Sequence, residues 1–384
     1  MISYDEQLLS DLRKVYSDKL GEFLSSLSRP PSRYYVRVNL LRTSREEVRR
    51  LLESDGVEVY YDELFEEALW IPVRGPVELE EPKCKVFVDK RTAESVMLGA
   101  NVYAPGIVKL EKCADVGRKV GIVSTSGVLV AVGIVSPGFR EAIRNRRGLV
   151  VRTLESLYSV PSLRDTKAYK AGMIYEQSLP SMVVTHVLSP RAGMKIVDMC
   201  AAPGGKIGHV YELNKGKGVF IAIDHSSRKI TRMKQEFARL GYTSINIIRG
   251  DSRYVDLFLG KEVADYVILD PPCSSIGVIP KIYDKRTIDG IKNYADYQRQ
   301  FLRSAYDLLK PGGILVYSTC TTTYLENEAN IEYAVNVLGY EVLEATPIRG
   351  SRGVGPLGKY LQRFHPHIHG TPGYFIAKLQ KPYK

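Results

Sequence analysis

Two cysteines in the back half of the chain sit where covalent chemistry is done. Cys273 lies in Asp270-Pro-Pro-Cys-Ser-Ser275 and Cys320 in Tyr317-Ser-Thr-Cys-Thr321. Each follows a strongly apolar segment, Ala264–Leu269 and Gly313–Tyr317, that reads as a buried parallel strand. In a doubly wound sheet the residues just past the strand ends line the ligand crevice. Two thiols and one carboxylate, Asp270, are therefore expected over one pocket. Polarisable nucleophiles placed there suit attack on an electrophilic carbon.

A second constellation lies upstream. Ile196–Lys206 (Ile-Val-Asp-Met-Cys-Ala-Ala-Pro-Gly-Gly-Lys) reads as a strand, a glycine turn and a helix start. Free N–H groups at a helix start bind carboxylates and phosphates, and glycines let the backbone approach a ligand closely. The dinucleotide pattern G-x-G-x-x-G is absent, and the phosphate-loop pattern fails because Ala202 stands where its first glycine belongs. The next strand ends at Asp224, placed to accept hydrogen bonds from ribose hydroxyls. The third is followed by Asp251, placed to accept an adenine amino group. A lone strand-end aspartate is usually a turn or cap residue. Three in succession, Asp224, Asp251 and Asp270, outline a nucleoside ligand carrying an amino-acid carboxylate, and S-adenosylmethionine fits.

The elements that position these residues fall into three parts. Residues 1–84 begin with a helix whose apolar residues run from Leu8 to Leu27, ended by Pro30-Pro31, and continue as a small α+β unit. A capping box at Ser44-x-x-Glu47 opens its second helix. Residues 85–163 hold short β-like runs separated by glycines and polar turns, a compact barrel or sandwich pattern. Residues 164–384 alternate strands and helices, the signature of an α/β sheet with right-handed crossovers.

Composition sets outer bounds. Of 384 residues 44% are hydrophobic and 25% charged, an ordinary globular mixture. No run approaches the ~20 apolar residues of a membrane span, and the Met1–Glu6 start lacks a secretory pattern, so a cytoplasmic protein without membrane contact is expected. A net charge of +11, dense around Phe139–Arg147, suits a polyanion. The five cysteines contain no CxxC pair. Neither a metal site nor a disulfide framework is expected, and Cys84 and Cys113 read as small buried hydrophobes.

Asp198–Lys206, Asp270–Ser275, and Tyr317–Thr321 with Glu326-Asn-Glu328 occur in one order and spacing. Together they closely resemble the Nop/Sun family of RNA cytosine-C5 methyltransferases. Gly172–Ser178, Lys310–Gly313 and Arg363–His367 agree, and Tyr35–Asn39 resembles the family's N-terminal RNA-binding subdomain. Phe87–Ile107 with Gly133-Ile134 looks like a PUA domain, a small RNA-binding barrel. The resemblance implies an α/β, Rossmann-like class I methyltransferase domain beside a PUA barrel and a small α+β RNA-binding subdomain. A PUA insertion marks the branch that methylates tRNA near the 3′ CCA, which implies cytosine 72 of the acceptor stem, on a monomeric enzyme.

The resemblance assigns the thiol that attacks C6 of cytosine to Cys320, and the release of the C5 proton to Cys273. Asp270 would orient the base, and Lys206 would favour the thiolate. Cys200, Ala201, Ala202, Pro203, Gly204, Gly205, Lys206, Asp224, Arg228, Asp251 and Asp270 would hold S-adenosylmethionine. Lys90, Arg91, Tyr103, Arg140 and Arg144 are candidates for holding the RNA end. Two departures stand out. Ile207 replaces a small hydroxyl residue, and Ser275 stands where the family often has glycine, which bears on loop shape. The alternatives are the same chemistry on ribosomal RNA and, remotely, a non-catalytic RNA-binding assembly factor.

Overall fold

The computed structural model describes residues 2–383. Its back half is a twisted α/β sheet. The strands are β1 (Lys195–Asp198), β2 (Val219–Asp224), β3 (Ile245–Arg249), β4 (Ala264–Leu269), β5 (Leu309–Thr319), β6 (Glu341–Leu343), β7 (Ser351–Arg352), β8 (Gln362–Phe364) and β9 (Tyr374–Gln380). The order is β3-β2-β1-β4-β5-β9-β8-β7, with β6 also paired to β9. The first five run parallel, and β9 lies antiparallel to β5. Strand order reverses between β1 and β4, which opens a crevice at their carboxyl ends. The Cys200–Lys206 loop leaves β1, Asp270–Ser275 leaves β4, and Cys320 leaves β5, all at that crevice.

Side-chain alternation explains why the strands read as continuous apolar runs. Ile196, Phe220, Ala222, Ile268 and Val316 face one layer with α1 (Leu179–Leu188), α2 (Gly205–Leu213) and α3 (Ser227–Leu240). Val197, Ile221, Ile223, Val267, Leu269 and Leu315 face the other, against α4 (Ile288–Leu308) and α5 (Glu328–Asn336). Both faces are buried, as parallel strands require. α4 begins at Ile288, earlier than the helix over Tyr297–Leu309 that the apolar spacing predicts. The Thr287 hydroxyl caps it, and its early turns bury Ile288, Ile291 and Ala295.

The N-terminal helix does not run unbroken. It spans Glu6–Tyr16, turns at Ser17 (φ 48°), and resumes over Leu20–Ser26. The break lets Leu8, Leu12, Tyr16, Leu20, Phe23 and Leu27 all pack on Ile276, Ile279, Ile288 and Ile291. The first helices therefore buttress the chain just after Cys273. The small α+β unit pairs Arg33–Val38, Ala68–Pro72 and Tyr60–Tyr61. Ile174–Glu176, read from sequence as part of the back half, adds to this sheet beside Arg33–Val38.

The middle segment forms a six-stranded mixed sheet around Val86, Val88, Ile122, Val130 and Val150. Here one expectation fails. Cys84 and Cys113 form a disulfide across 29 residues. Sequence spacing hid it, because the bond links chain that only antiparallel pairing of Lys85–Val88 with Ile107–Leu110 brings together. Among the described residues no helix is long and apolar enough to cross a membrane.

Candidate active site

The two cysteine loops converge as the strand order demands. Cys273 Sγ and Cys320 Sγ stand 3.3 Å apart, and both are free thiols. Ser275 Oγ lies 3.5 Å from Cys320 Sγ and 3.7 Å from Cys273 Sγ. Ser275 takes a left-handed conformation (φ 57°), which explains why glycine suits this position and shows what serine adds: a hydroxyl facing both sulfurs.

The pair is electrostatically unequal. The hydrogen bond with Cys273 lowers the Cys320 thiol, with Ser275 and Lys206 acting the same way against burial and Asp270. The same hydrogen bond raises Cys273, helped by burial and by the charge on Cys320. The surroundings thus favour the thiolate at Cys320 and the thiol at Cys273.

Lys206, from the start of α2, forms an ion pair with Asp270. Tyr374 OH lies 3.4 Å from the same carboxylate oxygen. The nearby Asp198 is buried, and burial pushes its carboxyl up to about 7 although Lys206 opposes this. A carboxylate, an ammonium and the two thiols therefore share one half-buried corner.

Two cavities meet there. One of about 280 Å³ is lined by Met199, Cys200, Asp224, Asp251, Tyr297 and the two cysteines, among others. A second, of about 210 Å³, is lined by Gln177, Ser178, Asp198, Ala201, Pro203 and Lys206, among others. Cys200, Ala202 and Asp270 border both. The donor set fits S-adenosylmethionine: strand-end carboxylates with a tyrosine face for the nucleoside, and the loop entering α2 for the amino-acid end. Asp224 accepts Ser226 N–H at 2.9 Å through one oxygen, which orients its carboxylate in the cavity wall.

Several expected residues stand differently. Arg228 is exposed on α3, and its neighbour Lys229 lines the cavity instead. Gly204 (φ 103°) serves packing, because a Cβ there would lie 2.4 Å from the Phe237 ring. Both Asp251 oxygens already accept hydrogen bonds from Arg253 (2.6–3.1 Å), so an adenine amino group would share that carboxylate. Tyr294, Tyr297 and Phe301 of α4, and Tyr175–Ser178 with Ser181, line the cavities without having been assigned to the site from sequence. The match of Gly172–Ser178 to the family and the apolar period of α4 were the available signals.

The RNA candidates divide. Lys90 Nζ bonds Asp284 at 3.1 Å and clasps the middle domain to the back half. Arg140 pairs with Asp115 on the surface. Arg91 and Tyr103 border a cavity of about 710 Å³ shared with Tyr34 and Arg164, where the middle domain meets the small α+β unit. Arg144 is exposed.

Comparisons with known proteins agree with this geometry. Residues 185–380 match the model of the 16S rRNA methyltransferase RsmB/F family. Residues 84–157 match the PUA domain, and residues 4–78 match the ferredoxin-like domain of RsmF/B-like methyltransferases. A tRNA (cytosine(72)-C(5))-methyltransferase of Pyrococcus horikoshii is 39% identical over 99% of this chain and 98% of its own. The mouse tRNA (cytosine(72)-C(5))-methyltransferase NSUN6 is 34% identical over 95% of this chain and 85% of its own. The crystal structure of NSun6 from Pyrococcus horikoshii with SFG, an S-adenosylmethionine analogue, superposes with a TM-score of 0.91 at 37% identity, covering 100% of this chain and 99% of that one. This chain belongs to the RsmB/F methyltransferase family, as an S-adenosylmethionine-dependent member that carries a PUA domain.

Proposed function

We propose that the protein methylates C5 of cytosine 72 in the tRNA acceptor stem through a covalent bond between Cys320 and C6 of the base. The observation that carries this reading is the unequal thiol pair beside the Lys206–Asp270 ion pair. C5 of cytosine is a poor nucleophile. Addition of the Cys320 thiolate to C6 gives C5 the electron density of an enamine carbon. Asp270, held by Lys206 and Tyr374, accepts hydrogen bonds from the base amino group and from N3, which takes a proton from water as the thiolate adds and gives it back when the thiolate leaves. Bound S-adenosylmethionine would supply an electrophilic methyl group to C5, its S–CH3 bond breaking to leave S-adenosylhomocysteine.

The C5 proton must then leave so that the C5–C6 double bond re-forms and expels the Cys320 thiolate. Cys273 is positioned for that release. Two of the three largest causes that raise its thiol, the hydrogen bond and the charge of Cys320, vanish once that sulfur is bonded to carbon. Cys273 thus becomes a stronger acid, and its thiolate an available base, only after the adduct exists.

Tyr103, Arg91, Arg140 and Arg144 of the PUA domain would hold the RNA end, and opening a terminal acceptor-stem pair costs only a few kcal/mol. Identity along the full chain supports tRNA over ribosomal RNA: 39% and 34% to the two tRNA methyltransferases, against 24% to the Arabidopsis thaliana rRNA (cytosine-C(5))-methyltransferase NOP2C, which matches 95% of this chain. Transfer of labelled methyl to tRNA transcripts with and without CCA, followed by sequencing of the methylated position, tests the proposal. Label at cytosine 72 that depends on CCA is expected. Indifference to CCA, or label confined to ribosomal RNA, would overturn it.

A further inference from the structure

Ser274 and Thr321 each stand one residue beyond a cysteine, and one buried carboxylate reaches both. Glu326 is 0% exposed. One of its oxygens accepts Ser274 N–H at 2.8 Å and Gln298 Nε2 at 3.0 Å. The other accepts the hydroxyls of Ser274 at 2.6 Å, Thr323 at 3.0 Å and Thr321 at 3.3 Å. A carboxylate this deep persists only when its lone pairs are fully hydrogen-bonded. Burial pushes its pKa up, and the bonds from Ser274, Gln298 and Thr323 oppose that.

The Cys320 loop is also pinned from its other side. Asn327 Nδ2 donates to Thr321 O at 3.2 Å and Thr323 O at 2.8 Å. Arg363, ion-paired with Glu328 in the interior, donates to Thr322 O at 3.1 Å and Thr323 O at 3.2 Å. Those contacts fix one loop in the frame of the sheet. Glu326 takes the fixed loop and ties the Cys273 loop to it. We propose that Glu326 is a positioning residue that sets the separation of the two thiols and preserves the hydrogen bond between Cys273 and Cys320. Its negative charge acts in the same sense, since it contributes to raising Cys273. This inference rests on the thiol-pair reading of the methyl transfer.

The test uses Glu326→Gln, which keeps the shape but sets an NH₂ group against the Ser274 and Gln298 donors. Alkylation of Cys320 by iodoacetamide needs no RNA, so it stands whether or not tRNA is the substrate. The expected result is about a tenfold slower alkylation of Cys320 at neutral pH, with its pH midpoint moved upward. Single-turnover methyl transfer should fall by about tenfold or more, while S-adenosylmethionine affinity stays within about threefold. A melting temperature that drops while alkylation profile and single-turnover rate stay wild-type would overturn the proposal. If Glu326→Gln no longer binds S-adenosylmethionine, Thr323→Val and Ser274→Ala each remove one donor from the same carboxylate. Intermediate losses of Cys320 reactivity in these variants support the role, and wild-type reactivity in both refutes it.

Discussion

Cys273→Ala separates the two functions assigned to that thiol. In the free enzyme Cys273 and Cys320 share a hydrogen bond across 3.3 Å, and this bond heads the causes that lower the Cys320 thiol. A hydrogen bond to a charged acceptor contributes ~1.5–3 kcal/mol, and a weak S–H donor belongs at the low end. A loss at that low end corresponds to about a tenfold change in the thiol–thiolate equilibrium, so the Cys320 thiol should rise and its thiolate population at neutral pH should fall by about tenfold. Site-resolved alkylation of Cys320, followed by mass spectrometry from about pH 6 to pH 10, reads that shift directly. With tRNA and S-adenosylmethionine present the same variant should form its adduct more slowly yet accumulate it, because the C5 proton has lost its acceptor. The adduct should survive a denaturing gel, whereas Cys320→Ala should form none and be inactive. An adduct in Cys320→Ala, a fully active Cys273→Ala, or an unmoved alkylation profile would each refute the assignment.

Three further expectations test other parts of the structure. Ser275→Gly should relieve a left-handed non-glycine residue and stabilise the fold by about 1 kcal/mol, yet slow Cys320 alkylation; denaturant midpoints set beside alkylation rates show whether the two move in opposite directions. His365 is buried, and burial with Arg363 nearby holds its imidazole down at about 2. Its folded value lies below the unfolded 6.5, so its contribution is intact above about pH 6.5 and is lost as pH falls below that, by ~1.4 kcal/mol per pH unit. Urea unfolding between about pH 7 and pH 5 should therefore show a shallower loss in His365→Gln, and equal slopes would exclude the histidine. The Cys84–Cys113 bond closes a loop whose entropy corresponds to ~3–4 kcal/mol. Thiol titration of the denatured, unreduced protein should count only Cys200, Cys273 and Cys320 as free, and Cys113→Ser should lower the stability of the PUA domain.

What could be read from sequence was what depends on position along one strand. Cys273, Cys320, Asp224, Asp251 and Asp270 end apolar runs, and a parallel sheet gathers such ends at one crevice whatever the details of packing. Choices set by rotation about a helix axis were not legible. Arg228 and Lys229 are adjacent on α3, and only the docking of α3 on β2 decides that Lys229 faces the cavity. Partners far along the chain were hidden for a related reason. Lys90 read as an RNA contact because its charge was visible while Asp284, which binds it, sits far along the chain. Glu326 illustrates the limit most sharply. The sequence shows it as part of Glu326-Asn-Glu328 near Cys320, with nothing to link it to Ser274. The link exists because β4 and β5 are neighbours, so the loops leaving them abut and present their N–H and hydroxyl donors to one another. A charge fixed there acts on the chemistry of both thiols while touching neither.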